Sequence, residues 1–344
     1  MCDVEIRSSG VTRGEDQDLG EEWSEPTPHS LTPKRIYLGR PGPHTKVAII
    51  ALHGRGEGAD DFARVFLPSI SSRFGGDGRG LLKVDGQDED YILHDDLEQA
   101  GSSSDCHPRD QVCLISLEAR DAVWWPDHHR ATHEASWIFN GPYIHSSLQR
   151  LEKEIRRLEE LGVGRSRIVL LGFSQGAILS NTYLLCALSQ LEKISAASTS
   201  SSDDPPPTPQ TTTMPIPANI LALAGTIFDA DIFYPEKRVP IHNPRGGGGG
   251  GEDLASQVIQ PPAEQLHQQE QEALVKLHLH CGLSDRYFTE EEVVDAASII
   301  SRAATRAGYG EKVRVSVQME VGGHSILGGM LSKLSQVIQS LIEA

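Results

Sequence analysis

Residues 168–177 read Ile168-Val169-Leu170-Leu171-Gly172-Phe173-Ser174-Gln175-Gly176-Ala177. A short apolar run that ends at glycine is the pattern of a strand buried on both faces, as in a parallel sheet. Ala177-Ile178-Leu179 then opens an apolar helix. Between the two, Gly172-Phe173-Ser174-Gln175-Gly176 matches G-x-S-x-G, in which a serine sits on a sharp strand-to-helix turn and the glycines let the backbone pass close to its neighbours. With 33 glycines in 344 residues, five matching positions alone would carry little weight. The strand before and the helix after separate this elbow from an ordinary tight turn that happens to hold a serine.

Working outward, Lys46 to Leu52, Val112 to Leu117 and Asn219 to Ala224 are apolar runs like Arg167 to Leu171. Leu274 to His280 and Val313 to Met319 alternate more, as strands nearer a sheet edge would. Helical periodicity fills the gaps. Ile144, Leu148, Leu151, Ile155, Leu158 and Leu161 recur at spacings of three and four, and Gly162 and Gly164 follow as stop signals. Further helices are predicted from Ser174, over Thr289 to Ala307, and from Ser325 to the end of the sequence. Strand and helix alternate from Lys46 onward, so the chain is read as α/β, a three-layer sandwich with a mostly parallel central sheet.

Three stretches break the rhythm. Residues 75–111 are rich in Gly and Asp, 194–217 form a Ser/Thr/Pro tract, and 235–272 contain six consecutive glycines and a Gln/Glu run. None can bury enough apolar surface to offset its ordering entropy, so they are read as insertions in a single domain over 34–344. Residues 1–33 are read as a disordered acidic tail. They hold eight acids against two bases and 75–111 hold ten against three, so these two segments supply −13 of the formal charge of −17. Such a balance argues against nucleic acid or anionic lipid as an electrostatic partner. The sequence begins with neither the basic nor the apolar region of a secretory signal, and no run is long enough to span a membrane. The five cysteines are scattered without C-x-x-C spacing. A cytoplasmic protein with reduced thiols is the expectation.

A serine at its free pKa is a poor nucleophile and needs a base, which in turn needs an acid to orient it. The order that accompanies such an elbow is Ser, acid, His. His324, in Val321-Gly322-Gly323-His324-Ser325, follows the last predicted strand and is the candidate base; a histidine on a surface loop is the competing reading. Asp285, in Cys281-Gly282-Leu283-Ser284-Asp285, follows the strand before it and is the candidate acid, with Asp229 and Asp231 as alternatives one strand earlier. His278 and His280 lie within a strand pattern and are read as packed or edge residues. Oxyanion donors are expected from the N–H of Gln175 and of Arg55 in His53-Gly54-Arg55-Gly56. That loop matches neither G-x-x-x-x-G-K-[S/T] nor G-x-G-x-x-G, and Glu57 would repel phosphate, so a nucleotide site is not expected. Trp124 and Trp125 on a post-strand loop are candidates for an apolar pocket wall, although each could equally be core. Asp127, His128, His129, His133 and Glu134 look metal-like, but they lack H-E-x-x-H spacing and are read as solvated polar residues; no metal is expected.

Together, Leu52-His53-Gly54-Arg55-Gly56, Gly172-Phe173-Ser174-Gln175-Gly176-Ala177, the Gly282 to Asp285 turn and Gly322-Gly323-His324 resemble the phospholipase/carboxylesterase family. That family includes acyl-protein thioesterases, lysophospholipases and small carboxylesterases. Arg120-Asp121-Ala122-Val123-Trp124-Trp125-Pro126 resembles the loop of its small carboxylesterases more than that of the thioesterases. The resemblance covers Lys46 to Ala344 apart from the insertions. It implies the α/β-hydrolase fold, a triad of Ser174, Asp285 and His324, no metal and no cofactor, and a small-molecule ester or other acyl substrate. Two readings compete with hydrolysis at Ser174. One is a non-catalytic ligand-binding protein of the same fold. The other is a dienelactone-hydrolase-like enzyme, which would carry Cys at the nucleophile position.

Overall fold

A computed structural model describes residues 34–38, 41–71, 84–85, 111–119, 122–125, 133–199, 213–227 and 275–344. Residues 1–33, 235–272 and nearly all of 75–111 lie outside these, as do Asp229 and Asp231.

The chain forms β1 (Lys34–Leu38), β2 (Val47–Leu52), α1 (Ala59–Ser71), β3 (Val84–Asp85), β4 (Val112–Leu117), α2 (His133–Glu160), β5 (Ile168–Phe173), α3 (Gln175–Thr199), β6 (Asn219–Leu223), β7 (Val275–Gly282), α4 (Glu290–Arg306), β8 (Val313–Glu320) and α5 (Gly328–Glu343). The strands lie in one sheet in the order β3-β1-β4-β2-β5-β6-β7-β8. From β4 to β8 all pairings are parallel, while β1 joins β4 and β3 joins β1 in antiparallel fashion. This is the expected mostly parallel sheet, with a short antiparallel extension that the sequence reading did not contain. Lys34-Arg35-Ile36-Tyr37-Leu38 and the two-residue β3 are too short to give a period.

Every residue of β2, β4, β5 and β6 is buried. Even-numbered residues of β2 and β5, such as Ile50 and Leu170, join the core beneath α2, α3 and α4. Odd-numbered ones, such as Ile49 and Leu171, join the core beneath α1 and α5. The sheet is therefore the middle of three layers, and each buried aliphatic side chain contributes about 1.5–3 kcal/mol.

α3 runs through the larger core and is buried over most of its length, including the polar Ser180, Asn181 and Thr182. Ser180 Oγ donates back to Gly176 O (3.0 Å) and Thr182 Oγ1 to Ile178 O (2.8 Å) within the helix, while Asn181 Nδ2 donates to Thr226 O (2.7 Å) after β6. The helix continues to Thr199, past the expected start of an insertion at 194. At that segment's other end Met214 is buried, and Pro215 O accepts the Tyr183 hydroxyl at 2.8 Å, so residues 213–217 close the core.

Other boundaries also moved. α2 begins eleven residues before Ile144 and runs through Pro142. α4 agrees with expectation and starts on a capping box in which Thr289 Oγ1 accepts from Glu292 N and Glu292 Oε2 accepts from Thr289 N.

β7 is not near-edge in character. It is paired on both sides, and the polar members of its alternation, His278 and His280, are 3% and 2% exposed. His278 Nδ1 lies 2.6 Å from Ser316 Oγ on β8. Burial, reinforced by the positive charge of Lys333 on α5, pushes His278 down to about 3 and His280 to about 4, against a partial pull upward on His280 from Glu320. Both imidazoles are neutral when folded and take up protons near 6.5 when unfolded. The unfolded chain binds more protons below that value, so their contribution falls as pH drops from 6.5 toward 4 and 3. We expect the urea midpoint to fall between about pH 7 and about pH 4.5, with up to about 1.4 kcal/mol per pH unit from each imidazole. The double variant His278→Asn, His280→Asn should show a shallower decline; an unchanged slope would refute this account.

Candidate active site

The carboxyl ends of β2, β4, β5, β7 and β8 deliver the loops of the site, as expected for a parallel sheet. β5 stops at Phe173, and Ser174 turns the chain with φ +52° before α3 starts at Gln175. A non-glycine residue held there stores about 1–3 kcal/mol of strain. Two backbone bonds hold it: Ser174 N donates to Leu223 O on the adjacent β6 (2.9 Å), and Ile178 N donates to Ser174 O (3.0 Å). Gly176 shows why the motif ends in glycine. A Cβ there would lie 2.1 Å from the carbonyl oxygen of Leu52, because the first turn of α3 presses against the end of β2.

β7 and β8 bring the other two candidates together. Leu283 N donates to Glu320 O and Ser284 N to Gly322 O, both at 2.8 Å, which continues the strand pairing into the loops. A Cβ on Gly282 would lie 2.4 Å from Gly322 O, so the two loops touch through backbone. His324 Nε2 then lies 3.0 Å from Ser174 Oγ, and His324 Nδ1 lies 2.8 Å from Asp285 Oδ2. The side chain of Asp285 is fully covered, and that of His324 is 16% exposed.

Asp285 Oδ1 accepts from Tyr287 N (2.8 Å) and Phe288 N (3.2 Å), and the Cys281 thiol stands 3.6 Å from Oδ2. Burial by itself would raise the carboxyl. The His324 hydrogen bond, the two backbone N–H groups and the attraction of His324 outweigh it, so Asp285 sits below the ordinary carboxylate value. An ionised Asp285 accepts the Nδ1–H of His324 and leaves the Nε2 lone pair facing the Ser174 hydroxyl. Burial and the Asp285 charge push the Cys281 thiol up to about 12. It therefore stays an uncharged donor.

Phe173, Tyr287 and Phe288 surround the His324 ring at centroid distances of 5.1, 4.7 and 5.6 Å. No sequence signal pointed to Tyr287 or Phe288, whose approach to His324 depends on the β7–α4 loop.

Arg55 lies in the loop after β2 and Gln175 at the first position of α3 after β5; β2 and β5 pair directly, and a network anchored on His53 ties the two segments together. Ala119 N donates to His53 Nε2 (2.9 Å), so Nδ1 carries the proton and donates to Gly54 O (2.7 Å). Burial lowers the His53 pKa against the raising effect of that carbonyl, which keeps the ring neutral. Trp124 Nε1 donates to His53 O (2.8 Å), Trp124 N to Gln175 Oε1 (3.2 Å) and Gln175 Nε2 to Trp125 O (3.1 Å). Gly56 N also donates to Ala122 O at 2.8 Å. Trp124 and Trp125 are both only 2% exposed and belong to the core. Burial of both rings and the Trp124 indole N–H bond hold this loop against the core.

Among the described residues no group of three or more His, Cys, Asp or Glu side chains could hold a metal ion, and no helix is long and apolar enough to cross a membrane. Asp127, His128 and His129 lie outside the described residues, as do the side chains of His133 and Glu134.

Residues 114–216 match the family model described as phospholipase/carboxylesterase, the family whose motifs the sequence resembles. The match begins within β4 and includes the elbow. None of the curated proteins compared with the chain matches it. Among solved structures, a phospholipase/carboxylesterase from Dyadobacter fermentans is similar at 16% identity, covering 91% of this chain and 100% of that one, with a TM-score of 0.47. Zea mays acyl-protein thioesterase 2 is similar at 12% identity over 90% and 99% of the two chains, TM-score 0.42, and a Bacillus cereus carboxylesterase at 12% over 91% and 96%, TM-score 0.44. The family match supports a carboxylic ester hydrolase.

Gly176→Ala should lower unfolding stability by about 1–3 kcal/mol, because the added methyl meets backbone that cannot give way. Gly42→Ala, where a Cβ would meet nothing within 4 Å, serves as the control. Urea unfolding with unchanged slope measures both; equal midpoints would contradict the packing described here.

Proposed function

We propose that the chain is a serine hydrolase that cleaves carboxylic esters by two-step acyl transfer, with Ser174 as nucleophile, His324 as general base and acid, and Asp285 as its orienting carboxylate. The observation that carries this reading is the continuous hydrogen-bond line from Ser174 Oγ through both nitrogens of His324 to the buried Asp285, beginning at a strained elbow.

Ser174 Oγ attacks the acyl carbon as its proton passes to His324 Nε2. The resulting oxyanion is held by the N–H groups of Gln175 and Arg55, whose loops the His53, Trp124 and Gln175 side-chain bonds brace. Collapse breaks the bond to the leaving oxygen, which departs with the proton from Nε2. Water then gives a proton to Nε2 and attacks the acyl-enzyme, and the second collapse returns the proton to Ser174. Asp285 stabilises the imidazolium in each half.

Tyr287 is 56% exposed and packs edge-on against His324, which favours an acyl or alkyl group that is itself apolar. A lysophospholipid presents the same oxygen-ester carbonyl and a thioester an analogous one with a thiolate leaving group, so lysophospholipase or thioesterase action is the second reading; the phospholipase/carboxylesterase match favours the former.

Ser174→Ala should cut kcat on p-nitrophenyl esters by about 10⁴–10⁶-fold, and Asp285→Asn by about 10⁴-fold, with little change in unfolding midpoint. Fluorophosphonate labelling should vanish in Ser174→Ala. A folded Ser174→Ala chain that kept full turnover would end this proposal, and a wild-type chain that neither hydrolyses esters or thioesters nor takes the label would favour a ligand-binding protein instead.

A further inference from the structure

The two edges of the sheet are built differently. At one end β3 has two residues, and the adjoining β1 has five with a register shift between Ile36 and Leu38. Shortness and a bulge are devices that keep an edge from pairing with another chain. At the other end β8 is eight residues long, lacks Pro and Lys, and keeps an unbroken register along β7 from Val313 to Glu320. Among the described residues nothing pairs with its outer side.

The carbonyls of Lys312 and Glu320 point at β7, where they accept from Val275 N (2.9 Å) and Leu283 N (2.8 Å). With a continuous register, even-numbered residues of β8 face β7. The N–H and C=O groups of Val315, Val317 and Met319 therefore face outward. Val317 is an exposed apolar residue in the middle of this edge.

We propose that β8 pairs antiparallel with β8 of a second copy of this chain, about a two-fold axis at Val317, to form one continuous sheet across a dimer. In this register Val317 faces its own counterpart and Val315 faces Met319 of the second copy. All are outward-facing, so each pair exchanges two main-chain hydrogen bonds. The intervening pairs put Arg314 opposite Glu320 and Ser316 opposite Gln318, at the closer, non-hydrogen-bonded sites where side chains stand about 5 Å apart. The strand Val313-Arg314-Val315-Ser316-Val317-Gln318-Met319-Glu320 is thus complementary in charge to its own reverse. The contact is isologous, closes at two copies and removes the unprotected edge.

Sedimentation of the full chain from about 1 to about 100 µM tests this, a range that spans micromolar association. The wild type should be dimeric at the upper end. Val317→Lys and Val317→Glu, each placing like charges together on the axis, should weaken association by at least about tenfold, with turnover of a p-nitrophenyl ester per chain unchanged. An equimolar mixture of the two variants should dimerise again, because Lys then faces Glu. A wild type that is monomeric throughout, or a mixture that stays monomeric, would overturn the proposal. Should either variant fail to fold, amide exchange on the wild type decides: the Val315, Val317 and Met319 amides should lose protection on dilution, and concentration-independent exchange would also overturn it. Dimerisation is read apart from ester turnover, so neither result depends on the other.

Discussion

The approach of Gly176 to the carbonyl of Leu52 is the constraint from which the site's geometry follows. A helix that starts one residue after a strand must reverse direction within a single positive-φ residue, and it can do so only if its first turn lies against the neighbouring strand. That contact fixes Ser174 above the sheet, between the loops that follow β2 and β6. It also explains why α3 is buried among apolar side chains with its hydroxyls turned back onto its own carbonyls. A helix docked this tightly has no solvated face over most of its length.

The polar groups around the elbow divide into two sets with different tasks. His53, Trp124 and Gln175 are uncharged, buried and bonded to backbone, so they stiffen the loops that carry Arg55 and Gln175 without adding a field of their own. Asp285 and His324 are instead coupled by charge. The carboxylate is stripped of water yet receives four donors, two of them backbone N–H groups, one the imidazole and one the thiol of Cys281. Those donors stand in for the lost hydration, which keeps Asp285 ionised where an isolated buried carboxyl would take up a proton. His278 and His280 on the same strand illustrate the alternative: burial and the nearby Lys333 outweigh the partial pull of Glu320 on His280, and both remain neutral.

Among the described residues, the same sheet that orders the site has one short, bulged edge and one long edge with no strand beside it. Alternation in β8 serves the inner face through Val315 and Met319, which pack toward the core, while its polar positions look toward α5. β7, by contrast, alternates because histidine occupies interior positions. The two strands look alike as strings of letters, and their neighbours separate them.

Much of this was legible from the residues alone. The six parallel strands, four of the five helices and the elbow follow from apolar runs, periodicity and glycine placement, because local hydrophobic pattern and backbone sterics act over a few residues; the sequence reading did not contain α1. Ser174, His324 and Asp285 could be selected by chain order, since strand-end loops on one side of a parallel sheet must meet. Tertiary structure decided what depends on contact between distant segments: the antiparallel β1 and β3, the inward turn of Trp124 and Trp125, the burial of His278 and His280, and the aromatic rings around His324. In each case the residue's own preference was satisfied in more than one environment. A tryptophan can line a pocket or floor a loop, and a histidine in a strand can face water or core; only the packing of elements far apart in the chain chooses between them.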